Sequence, residues 1–128
     1  MAGEVKTVQP DTMARPGGHY SHAVVAGGFV FVSGQLPITP AGARLDDAPF
    51  DVQAQQVLDN VAAAITAAGS SLSRLVQVRV YVADIGDWPA FNALYAAWVG
   101  DAKPARCVVP VPHLHYGFRI EVEATALA

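Results

Sequence analysis

Residues 51–69 read DVQAQQVLDNVAAAITAAG, and residues 70–82 read SSLSRLVQVRVYV; the hydrophobic period changes between them. In the first stretch Val57, Val61, Ile65 and Ala68 recur at steps of four, four and three. A helix brings residues at that spacing onto one face, so this stretch reads as an amphipathic helix. Asp51 suits its N-cap end and Gly69 its stop. In the second stretch Leu75, Val76, Val78, Val80 and Val82 alternate with Gln77, Arg79 and Tyr81. Alternation by two is the signature of a half-buried strand. Ser70 to Ser73 is the link between the two elements.

Downstream, a second helix opens at Asp87, a candidate cap, and stops at Gly100. Its stripe of Trp88, Phe91, Tyr95 and Trp98 reads as helix–sheet core. Cys107 to Val111 and Phe118 to Leu127 read as the last two strands. In the final one Arg119, Glu121, Glu123 and Thr125 share one face, and Ile120, Val122, Ala124 and Ala126 the other. Upstream, His22 to Ala26 and Phe29 to Ser33 are β-rich runs separated by Gly27-Gly28, a tight-hairpin signal. Residues 34–49 carry three prolines, two glycines and Asp46-Asp47, so they read as a loop. Val5 to Val8 suits a short edge strand that ends before Pro10, and residues 1–16 form an N-terminal extension. The order is β-β-β-α-β-α-β-β. It predicts a single α+β domain over 1–128, with two helices on one face of a sheet.

The chain has 128 residues, 52% of them hydrophobic and only 15% charged. That is enough material for a core and little charge for a soluble monomer. Self-association is therefore expected to cover the second face of the sheet. A net charge of −3 argues against broad nucleic-acid binding, which needs a basic face. No apolar run approaches the ~20 residues that span a bilayer. The first residues lack the layout of a signal peptide. A single cysteine, Cys107, excludes an internal disulfide and fits a reducing cytoplasm.

Two charged residues stand out. Arg106 opens a strand after Pro104-Ala105, and Glu121 lies on the next strand. Arginine grips a carboxylate with a planar fork, and a glutamate beside it can hold or deprotonate a water. Convergence of the two would make a site for a small anionic substrate. A cross-strand ion pair is the plainer reading, and spacing alone does not decide between them. Cys107 reads as an inert thiol on a half-buried strand rather than a nucleophile. His113 and His115 would face one way on a strand, as metal ligands do, but no third ligand is evident and Pro112 suggests a loop. They would otherwise line the mouth of a site.

The chain resembles the RidA/YjgF imine deaminase family, also called endoribonuclease L-PSP, over nearly all of residues 17–127. The resemblance rests on Gly18-His19-Tyr20, Phe31 to Pro37, Leu58-Asp59-Asn60-Val61, Phe91 to Tyr95, Pro104-Ala105-Arg106 and Ile120 to Ala124. It implies a chorismate-mutase-like fold and a homotrimer whose three sheets form an inner barrel, with clefts between subunits. It also implies hydrolysis of enamines and imines such as 2-aminoacrylate to 2-keto acids and ammonia, without metal or organic cofactor. By position, Arg106 would bind the substrate carboxylate and Glu121 would order the attacking water. Tyr20, Ser33 and Asn92 would form the polar wall, with Cys107 counted among the residues around the ligand. Gly34 would let the ligand approach the backbone. The chain departs from the family pattern at His19, often proline, at Val108, often Cys, Thr or Ser, and along Pro110 to Gly117. The same resemblance leaves three rivals: a ribonuclease, a non-catalytic binding trimer, and a pathway-specific deaminase such as one for 2-aminomuconate.

Overall fold

The computed structural model describes residues 3–128; residues 1 and 2 of the expected N-terminal extension lie outside them. Six strands form one sheet: β1 (Lys6–Val8), β2 (Ala23–Ala26), β3 (Phe29–Gln35), β4 (Leu75–Val82), β5 (Ala105–Pro110) and β6 (Ile120–Leu127). Their spatial order is β1-β2-β3-β6-β4-β5. Every pairing is antiparallel except β4 with β5. Helix α1 (Phe50–Ala67) links β3 to β4, and α2 (Trp88–Val99) makes the crossover that the parallel pair requires.

The expected α+β order holds, and so does the face assignment. Val30 and Val32 of β3, Val78, Val80 and Val82 of β4, and Ile120, Val122, Ala124 and Ala126 of β6 are buried. They pack with Ala54, Val57, Leu58, Val61, Ala64 and Ile65 of α1 and Phe91 and Tyr95 of α2 in one core. Gly27 and Gly28 both take positive φ, 58° and 84°. Two such residues make the turn whose twist matches a hairpin, here β2–β3.

The helix ends differ in detail from the expectation. Pro49 occupies the N-cap of α1, and Asp51 lies in the first turn, where its charge complements the helix dipole. Gly69 (φ 86°) closes α1: its N–H reaches the Thr66 carbonyl and the Ser70 N–H reaches Ile65, which satisfies two terminal carbonyls. Asp87 holds the N-cap position of α2 without capping it. Its carboxylate instead accepts from Arg119 Nη2 at 2.9 and 3.0 Å. Two stretches correct the sequence reading. Trp88 starts α2 too early to reach the sheet and is 45% exposed. Cys107 is exposed rather than half-buried. The register pairs Arg106 with Val78 and Val108 with Val80, so Cys107 points to the side without helices.

Candidate functional site

Glu121 stands at the centre of one half of the candidate site. It pairs with Tyr81 on the helix-free face of the sheet. Beside it, β3 does not end at Ser33 but bulges. Val32 faces Ala124 and Gln35 faces Val122, so Ser33 and Gly34 together oppose Glu123. A methyl group at Gly34 would overlap the Glu121 carboxylate. Glycine is therefore what lets the acid lie against the β3 backbone. Ser33 is fixed by its Oγ donating to the Ser21 carbonyl at 2.6 Å.

A cleft of about 410 Å³ opens above this acid, lined by Gly17, Gly18, Tyr20, Ser33, Gly34, Leu36, Ile38, His115, Tyr116 and Glu121. Burial pushes the Glu121 carboxyl above its ordinary value; His115 opposes this and Glu123 adds to it. Among the described residues no side chain or amide donates a hydrogen bond to Glu121. Glu123, two residues on, is different: it accepts from the Tyr81 hydroxyl at 2.6 Å. That bond, followed by burial, pushes the Tyr81 hydroxyl up to about 12.

Three buried polar side chains shape the cleft from behind. Asn60 of α1 donates to the carbonyls of Leu36 and Ile38, both at 3.0 Å. Gln35 donates to the Ser33 carbonyl at 3.1 Å and contacts His22 Nδ1 at 3.2 Å. His22 Nε2 meets the Ala14 carbonyl at 2.6 Å, which ties the N-terminal segment to the bulge. Of these, Asn60 and Gln35 stood in the matched motifs, but nothing in their spacing revealed a supporting role.

Arg106 belongs to a second half on the other side of the sheet. Its side chain shares the helix-facing side with Val78 and Val108. Its Nη1 donates to Asn92 Oδ1 of α2 at 2.7 Å. The guanidinium lies 4.9 Å from the Tyr95 ring centre and 6.0 Å from that of Phe91. Burial raises the Tyr95 hydroxyl above its ordinary value, and the Arg106 charge partly offsets it. Among the described residues no carboxylate pairs with Arg106. An open hollow of about 370 Å³ adjoins it, lined by Ile85, Trp88 and Val108.

The sequence-derived residues thus fall into two groups. Tyr20, Ser33, Gly34 and Glu121 come together at the cleft, and Asn92 joins Arg106 on α2. Arg106 and Glu121 do not meet within one chain, because odd register steps put them on opposite sheet faces. Cys107 follows the helix-free face, beside Arg79, and stays apart from the Arg106 side chain. His113 and His115 lie in the β5–β6 loop, and His115 reaches the cleft wall. Among the described residues no three His, Cys, Asp or Glu side chains cluster as metal ligands. Among the described residues no helix is long and apolar enough to cross a membrane.

Comparison with known proteins gives one consistent answer. Residues 12–128 match the endoribonuclease L-PSP family. A RutC family protein of Pyrococcus horikoshii is 41% identical over 88% of this chain and 89% of its own length. Protein HMF1 of Saccharomyces cerevisiae is 39% identical over 84% and 82%. The crystal structure of the YjgF gene product of E. coli superposes with a TM-score of 0.89 at 36% identity, covering 95% of this chain and 98% of that one. The structure of E. coli TdcF with bound serine gives 0.90 at 31% identity, covering 96% and 98%. With its matched motifs set on the same fold, the chain belongs to the endoribonuclease L-PSP family of RidA/YjgF proteins.

Proposed function

We propose that this protein hydrolyses 2-imino acids and their enamine tautomers, such as 2-aminoacrylate, to 2-oxo acids and ammonia. The observation that carries the reading is Arg106: a guanidinium held by Asn92 and two aromatic rings, yet paired with no acid among the described residues. Such a fork is ready for a substrate carboxylate. A bound serine in TdcF is an amino acid offering that same group.

The reaction needs one water. Its oxygen bonds to C2 as the C=N π bond opens onto nitrogen, and Glu121 takes a proton from the water and delivers it to that nitrogen. The carbinolamine hydroxyl proton then passes through Glu121 to the nitrogen as the C–N bond breaks, releasing ammonia and leaving the 2-oxo acid. A carboxyl whose proton affinity is raised by burial suits that transfer better than an exposed one. Arg106 of one chain would face Glu121 of a neighbour in a homotrimer, which joins the two halves. The exposed, unpaired Cys107 fits a reducing cytoplasm.

The test is ammonia release from freshly generated 2-aminoacrylate and 2-iminobutyrate. Arg106→Lys keeps charge but loses the two-point grip, and kcat/KM should fall about tenfold or more. Arg106→Ala should lose about 3 kcal/mol or more of transition-state binding. Normal turnover by folded Arg106→Ala protein would overturn the assignment. So would RNA cleavage by nuclease-free protein that vanishes in the same variant, which would favour the ribonuclease reading.

A further inference from the structure

Tyr116 is the only described non-glycine residue with positive φ (56°, ψ 18°). That conformation costs about 1–2 kcal/mol in an L-residue, so its surroundings must hold it. They do so from two sides. The Arg44 guanidinium sits 4.2 Å from the ring centre. Phe118 meets the ring edge-on, with centres 5.6 Å apart at 81°.

Arg44 is itself placed by a small antiparallel turn. Ile38 bridges to Arg44, Thr39 N–H reaches the Ala43 carbonyl at 2.9 Å, and Leu45 N–H reaches Pro37 at 3.0 Å. Among the described residues Arg44 pairs with no carboxylate, and its guanidinium stacks on Tyr116 instead. The residue is nevertheless 58% exposed. It is a large aromatic surface, fixed in place and left open, on the wall of the cleft that holds Glu121.

The rest of that wall says what the surface faces. Leu36, Ile38 and Tyr20 are its other bulky members. The carboxylates near by are Glu121 and Glu123, whose charge disfavours a second anionic group on a ligand; His115 is the one titratable base on the wall. We infer that Tyr116 is a specificity-determining residue: with Leu36 and Ile38 it forms a pocket for an apolar, planar substrate side chain. Arg44 acts as a strut for the ring, not as an anion receptor. The inference rests on the proposal that this cleft receives a small 2-oxo or 2-imino acid, and it adds the class of side chain preferred.

Calorimetric titration with phenylpyruvate, pyruvate and 2-oxoglutarate tests it without relying on turnover. Phenylpyruvate should bind about tenfold more tightly than pyruvate, as expected for burying an aromatic group. Tyr116→Ala should bring that ratio close to one, and Tyr116→Phe should keep it, since the stack needs only the ring. Arg44→Ala should lower the ratio in part by freeing the ring; this second variant serves if Tyr116→Ala does not fold. An unchanged ratio in folded Tyr116→Ala overturns the inference, as does 2-oxoglutarate binding as tightly as phenylpyruvate. Failure of imine hydrolysis with the affinity ratio intact removes the activity and leaves the pocket standing.

Discussion

Glu121 and Glu123 are two residues apart on one strand face, yet their surroundings differ. Glu123 is already engaged by Tyr81, whereas Glu121 faces the cleft without a donor. Burial raises the Glu121 value in the folded state, so folding favours its neutral form. That contribution is fully present below the unfolded value and is lost as pH rises through the folded one. Glu121→Gln should therefore raise Tm at pH 7 and lose that gain in acid, as a pH series of thermal melts would show. Its turnover should fall about a hundredfold or more, with 2-oxo acid affinity little changed. Glu123→Gln should be mild in turnover, and should bring the Tyr81 hydroxyl down from about 12 in a spectroscopic titration. Equal losses of turnover in the two variants would remove the distinction. The sequence exposed both acids and their shared face. It did not show which was free, because that depends on Tyr81 on another strand.

At the scale of elements, periodicity carried most of the information. The steps of Val57, Val61 and Ile65 and the alternation of β4 give the helix and strand as the structure has them. The bulge at Ser33-Gly34 was not legible, since it exists only as a mismatch between two strands. Its consequence is testable. Gly34 does not need positive φ, so alanine fits its backbone but not the space taken by the Glu121 carboxylate. Gly34→Ala should cost about 1 kcal/mol or less in stability, while kcat/KM falls about tenfold or more as Glu121 moves. Denaturant titration beside the activity assay separates the two. A loss of stability without loss of activity would show that the bulge only serves the sheet. The face of β5 was also hidden. Its short run of apolar residues has no clear alternation, and only pairing with β4 fixes which side Cys107 takes.

At the scale of the molecule, the helix-free face of the sheet carries Phe29, Phe31, Val109 and Leu127, all exposed in one chain. Exposed apolar side chains of that size on one sheet face are expected to be covered by other copies. Sedimentation equilibrium should give about three chain masses, and a stable monomer at micromolar concentration would remove the shared site. Low charge is what makes association an expectation from the sequence. The division of Arg106 and Glu121 between faces was not legible there, because spacing along a chain does not state the parity of strand pairing. That division has a genetic consequence. In the proposed trimer, two defective proteins, one lacking Arg106 and one lacking Glu121, would complement each other when their subunits are mixed at random. About a quarter of the interfaces would then join an intact arginine to an intact glutamate and regain full turnover. If each chain carried a complete site, the mixture would stay as inactive as its parents.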